Sequence, residues 1–124
     1  MTQAAPVKML VLDDDEQRIK VLRRVFADAH IEWVQTAPEC IDKLNEPWDV
    51  IRLDHDLGGE IYVDSNRADT GMEVVRHLEV THYDNLDEAV IIVHTRFDTA
   101  GKEMAQRLKQ AGYDASYHPF AWGF

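Results

Sequence analysis

Apolar runs in this chain end repeatedly in ionisable residues. "PVKMLVLDDD" closes on Asp13, Asp14 and Asp15, and "WDVIRLDHD" closes on Asp54, His55 and Asp56. "VIIVHT" closes on His94 and Thr95, and "YDASYHPF" delivers His118. Short continuous apolar runs without polar alternation suit strands buried on both faces, which is the pattern of a parallel sheet. The stretches between them have helical spacing. "EQRIKVLRRVFADAH" places Ile19, Leu22, Val25, Phe26 and Ala29 inward with its arginines mostly opposite. "TAPECIDKLNE" opens on a capping box, Thr36 with Glu39, and Pro38 sits in the first turn.

A second capping box, Thr70 with Glu73, starts a helix that carries Met72, Val75 and Leu78 inward. "DTAGKEMAQRLKQAG" is a helix bounded by Asp98 and Gly112, and "IEWVQ" is a short second strand. Strands alternating with helices predict a three-layer α/β sandwich around a five-stranded parallel sheet, in the flavodoxin-like order 2-1-3-4-5. Nothing after "HPF" is long enough for a packed fifth helix. Phe120, Trp122 and Phe124 are therefore expected to fold back over the sheet or to enter a homodimer contact, because leaving them in water forfeits roughly 1.5–3 kcal/mol each.

In such sheets ligands bind at the carboxyl ends of the strands. Those ends bring Asp13, Asp14, Asp54, Asp56, His94, Thr95 and His118 to one rim. Two carboxylates about 4 Å apart repel by roughly 4 kcal/mol at an effective dielectric near 20, so the rim asks for a cation or a proton. Asp14 and Asp54 are the leading cation ligands on that ground, and Asp15 reads as a helix N-cap. The polar loop from Leu57 to Asp69 hangs over the same edge, and Arg67 is its candidate phosphate clamp, with Arg96 and Lys102 weaker ones. His55 alternates away from Asp54 and points toward the sheet or a helix. His30, His77 and His82 are structural or exposed.

The chain has 124 residues, enough for one domain spanning 1–124, and a formal charge of −10, which argues against a broad nucleic-acid surface. No run is long enough to span a membrane, and the single cysteine, Cys40, suits packing in a reducing cytoplasm.

The pattern resembles the receiver domain of two-component response regulators over nearly the whole chain. The resemblance implies a divalent cation on Asp13 and Asp14, Asp54 as phospho-acceptor, and Asp56 offering its backbone carbonyl to the metal. It implies that Gly71 begins the third helix. Three departures stand out. Receivers end strand five in Lys-Pro, where this chain has His118-Pro119. His94 precedes Thr95 where receivers place Thr or Ser. The loop after Gly58 is longer, and the fifth helix is missing.

With "LDHDLG", these departures resemble a narrower group, the cyclic-phosphate processing receiver domains. That likeness implies metal-dependent hydrolysis of a cyclic phosphate. His94 and His118 would move protons or ligate metal, with Asp54 and Thr95 beside them, and Arg67 and His55 would contact substrate. Oxygen ligands imply magnesium or manganese, and imidazole ligands would shift the preference to zinc or iron. Two alternatives stand beside this reading: a phospho-acceptor receiver, and a degenerate receiver that only binds a partner protein.

Overall fold

The computed structural model describes residues 6–121. Its elements alternate as expected: β1 (Lys8–Leu12), α1 (Glu16–Val25), β2 (His30–Val34), α2 (Ala37–Lys43), β3 (Val50–Leu53), α3 (Gly71–Val80), a 3-10 turn at Asp84–Leu86, β4 (Val90–Val93), α4 (Asp98–Gln110) and β5 (Asp114–Tyr117). All pairings are parallel and the strand order is β2-β1-β3-β4-β5. Among the described residues no helix follows β5.

Strand alternation divides the core in two. Leu10, Leu12, Ile51, Leu53, Ile91 and Val93 pack against α2, α3 and α4 through Met72, Val75, Leu78, Met104 and Leu108. On the opposite face, Met9 and Val11 pack against Ile19, Val21 and Leu22 of α1. Phe120 completes that smaller cluster and is buried, as expected for the tail. Trp122 and Phe124 lie outside the described residues.

Two helix details differ from the sequence reading. α1 ends at Val25, which is exposed, and Val21 is buried in its place. Val25 lines an apolar depression with Val7, Met9, Phe26 and Val50, on the side that no later helix covers among the described residues. The Thr36 cap forms, with Glu39 N–H donating to Thr36 Oγ1. The Thr70 side-chain cap does not, because the Thr70 hydroxyl donates to the Arg67 carbonyl and Glu73 pairs with Arg76.

Candidate functional site

Backbone hydrogen bonds continue the sheet one residue past each strand and bring four strand ends level. Asp13 N–H donates to the Val34 carbonyl, Asp54 N–H to Leu12, His94 N–H to Leu53 and His118 N–H to Val93. Parallel neighbours therefore set the carboxylates of Asp13 and Asp54 side by side. Behind them, α3 begins in contact with the Asp54 backbone: a Cβ on Gly71 would lie 1.8 Å from the Asp54 carbonyl oxygen. A glycine is required there for space rather than for its dihedrals.

The centre of the rim is occupied by Arg18. Its Nε and Nη2 donate to the two oxygens of Asp13 at 2.8 and 2.7 Å, and Nη2 also reaches Asp54 Oδ2 at 3.1 Å and Asp14 Oδ1 at 3.5 Å. Asp13, Asp14 and Asp54 each offer one oxygen, all within 4.8 Å of one another. The sequence reading missed Arg18 because helical spacing put it among the solvent-facing arginines. The available signal was its i+4 relation to Asp14 on a helix that begins at the rim.

Asp13 is held a second time from beneath. His94 is buried, its Nε2 lies 2.8 Å from Asp13 Oδ2, and its Nδ1 accepts from Arg52 Nε at 3.3 Å. A guanidinium donating to Nδ1 selects the neutral imidazole with its proton on Nε2. Burial depresses the His94 pKa against the pull of Asp13, in agreement with that tautomer. Burial alone would raise Asp13, but the hydrogen bonds from His94 and Arg18 outweigh it and hold the carboxyl well below the usual range. Asp54 goes the other way. Burial, then the neighbouring Asp13 charge, push it up to about 8, and Arg18 with the His55 N–H offsets this only in part. Arg52, buried in the middle of β3, is lowered by burial to about 10.

A second polar chain organises the long loop. His55 is buried, with Nδ1 2.7 Å from Asp56 Oδ1 and Nε2 2.8 Å from Ser65 Oγ. The carboxylate selects Nδ1–H as donor, leaving Nε2 to accept from the Ser65 hydroxyl. Asp56 also accepts from the backbone N–H groups of Tyr62 and Val63, so its carboxylate is committed to the loop. The Phe97 ring packs edge-on to both His55 and Tyr62. The Gly58-Gly59 turn, both residues at positive φ, leans over the rim, and Gly59 N–H donates to Asp14 Oδ2 at 2.6 Å.

Rim and loop together enclose an open cavity of about 510 Å³. Asp14, Asp15, Arg18, Asp54, Asp56, Gly59, Ile61, Thr95 and Arg96 line it. Thr95, placed by β4, is buried, and its Oγ1 accepts from the Phe97 N–H. The remaining expected site residues stand apart. His94 and His55 lie beneath the cavity with both ring nitrogens engaged, and neither lines it. His118 is exposed at the end of β5 and does not line it. Arg67 pairs with Glu60 and Asp69 on the outer side of the loop, and Lys102 pairs with Asp98. Cys40 is buried with its thiol pushed up to about 12, which makes it a packing residue. Among the described residues no helix is long and apolar enough to cross a membrane.

Similarity to known proteins agrees with this arrangement. The structure is similar to the CheY-like receiver domain of a response regulator from Methanospirillum hungatei JF-1, with a TM-score of 0.61, 22% identity, and coverage of 95% of this chain and 86% of that one. It is similar to the BeF3-activated DrrB receiver domain, at a TM-score of 0.60 and 21% identity over 95% of this chain and 89% of that one. The Mn(2+)-bound response regulator Rcp1 is a further neighbour, at a TM-score of 0.61 and 14% identity over 94% and 82% of the two chains. No curated protein matches the sequence. The family model described as "Cyclic-phosphate processing Receiver domain" matches residues 8–110, from the first residue of β1 to the last of α4. The chain belongs to the cyclic-phosphate processing receiver domain family.

Proposed function

We propose that this receiver-fold chain hydrolyses a cyclic phosphate with the help of a divalent cation. The observation that carries this reading is the cavity beside Asp54. The cavity, open and bordered by Gly59, Glu60 and Ile61, has a volume of about 510 Å³, more than a phosphoryl group alone fills and room for a small cyclic phosphodiester.

The rim suits a cation on its own chemistry. Three carboxylates converge on a single guanidinium, and burial, with the Asp13 charge beside it, raises Asp54 to about 8. Asp13, Asp14 and Asp54 are the residues that would hold the ion, and hard oxygen donors favour magnesium or manganese over zinc or iron. Such an ion would offset charge on the phosphoryl oxygens and lower the pKa of the attacking water. His94 orients Asp13 from behind, in the manner of an outer-shell partner. Thr95 lines the cavity, and its hydroxyl, which accepts from the Phe97 N–H, keeps a proton that can be donated to a phosphoryl oxygen. His118, exposed at the end of β5 and outside the cavity lining, would have to protonate the leaving alkoxide through a bridging water.

A second reading, phosphoryl transfer to Asp54, is favoured by that carboxylate lining the cavity at the end of β3. Incubating the protein with a panel of cyclic phosphates in Mg2+ or Mn2+, with acetyl phosphate in parallel, separates the two. Metal-dependent ring opening supports the hydrolase, and a stable acyl phosphate without turnover supports the acceptor. Neither product would leave a partner-binding module.

A further inference from the structure

We propose that Arg18 is a displaceable cation: it holds Asp13, Asp14 and Asp54 together in the metal-free protein and binds phosphoryl oxygens once a divalent cation sits among them. This rests on the cation site of the reading above, but not on hydrolysis.

The guanidinium reaches the same three carboxylates that form the candidate cation cluster. It and a divalent ion are like charges competing for one set of oxygens, so both cannot keep these contacts. Arg18 is built to leave. Its side chain retains 16% exposure and lines the cavity, while Asp13 beneath it is fully buried. Nη1, unlike Nε and Nη2, makes no side-chain hydrogen bond to the carboxylates and lies 3.7 Å from Asp15 Oδ2. The guanidinium carbon lies 6.0 Å from the centre of the Phe120 ring, an apolar surface against which the planar group can pivot.

No other basic residue is better placed to meet a phosphate beside Asp54. Arg52 lies buried against His94, Arg67 is held by Glu60 and Asp69, and neither lines the cavity. Arg96 lines it but is exposed, and among the described residues makes no ion pair with the acidic cluster. Receivers end β5 in a lysine, where this chain has His118, so the fixed positive charge must come from elsewhere. A fork of N–H donors 3.1 Å from Asp54 is already at hand.

The test uses the full chain with Arg18→Gln and Arg18→Lys, and reads binding rather than turnover. Mn2+ affinity is measured by calorimetry, then inorganic phosphate and beryllium fluoride affinity at saturating Mn2+. Arg18→Gln should bind Mn2+ about three- to tenfold more tightly, since one competing, partly screened charge is gone. It should bind the two oxyanion probes about tenfold or more weakly. Arg18→Lys keeps the charge and loses the fork, so its Mn2+ affinity should stay near wild type while oxyanion affinity falls between the other two. Thermal melting in EDTA establishes that both variants fold, and should Arg18→Gln melt too low, Arg18→Met, which keeps the side chain's length and removes its charge, takes its place. Unchanged or weaker Mn2+ binding in folded Arg18→Gln overturns the displacement, and unchanged oxyanion binding in both variants overturns the clamp. Wild-type protein that binds no Mn2+ overturns this proposal together with the cation site. Correct binding shifts without ring opening of any cyclic phosphate would sink only the hydrolase reading.

Discussion

Replacing Asp54 by asparagine should make the metal-free protein more stable, and by an amount that depends on pH. Asp54 is 3% exposed and its pKa is raised from 3.8 to about 8 by burial and by Asp13. Below pH 4 the carboxyl is protonated in both folded and unfolded chains, and it adds no cost. As pH rises from 4 toward 8 the unfolded chain ionises while the folded one keeps its proton. The folded state is therefore penalised progressively across that window. At pH 7 the penalty is roughly 4 kcal/mol, at ~1.4 kcal/mol for each pH unit above the ordinary carboxylate value.

Asparagine removes this penalty but offers only one acceptor where Asp54 uses two, for Arg18 Nη2 and the His55 N–H. One lost hydrogen bond returns ~1 kcal/mol or somewhat more, leaving a net gain of about 2–3 kcal/mol. For a chain of this size that is a rise in Tm of roughly 6–15 °C near pH 7. Thermal unfolding in EDTA at pH 4, 6 and 8 measures it, and saturating Mn2+ should stabilise wild type but not Asp54→Asn. A variant less stable than wild type at pH 8, or one stabilised equally at pH 4 and pH 8, would show that burial and Asp13 do not hold the Asp54 carboxyl protonated.

The same raised carboxyl must lose its proton to ligate metal, so Mn2+ affinity should climb by up to about tenfold per pH unit between pH 6 and 8 and flatten above; calorimetry across that range checks it. Gly71→Ala forces a Cβ against the Asp54 carbonyl and should cost on the order of 3 kcal/mol, read as a loss of Tm and of Mn2+ affinity together. His55→Leu removes the link between Asp56 and Ser65, and amide exchange at Tyr62 and Val63 should speed up while β1 and β3 remain protected. His118→Lys restores the receiver residue; it should abolish cyclic-phosphate hydrolysis and raise acetyl-phosphate labelling of Asp54, and unchanged turnover would remove the imidazole from the mechanism.

The fold was legible because its cause is local. Apolar runs with acidic ends, separated by helices, leave little choice but a parallel sheet with a ligand edge, and the strand order followed. Asp13, Asp14, Asp54 and Thr95 were legible for the same reason, since a strand end fixes where its next residue stands. The histidines misled in an instructive way. A histidine at a strand end looks available in sequence, yet His94 is consumed by Arg52 and Asp13, partners that only the tertiary fold supplies. His55 turns inward as its alternation indicated, and Asp56 and Ser65 hold it away from any substrate. Arg52 was signalled all along by a charge inside the central strand of a buried sheet. Arg18 was harder to see, because helix periodicity assigns a face and not which of its members reaches back over the helix start. Arg67 had the right chemistry, but its own neighbours Glu60 and Asp69 claim it.

Asp54 is where the two buried polar chains meet. One runs from Arg52 through His94 and Asp13 to Arg18 and ends on Asp54 Oδ2. The other begins at the His55 peptide, whose N–H donates to Asp54 Oδ1, and passes through the His55 ring to Asp56, Ser65 and the loop. A change of charge on Asp54, from a proton, a cation or a phosphoryl group, therefore acts at once on the guanidinium in the cavity and on the peptide that anchors the loop. Phe120 ties the segment after β5 to the first chain, with its ring against His94 and Arg18. The 57–69 loop and Phe120 are thus in direct contact with the two chains that end on Asp54. The loop borders the cavity and Phe120 packs on the residues that brace it, so a change at Asp54 is transmitted first to its immediate surroundings.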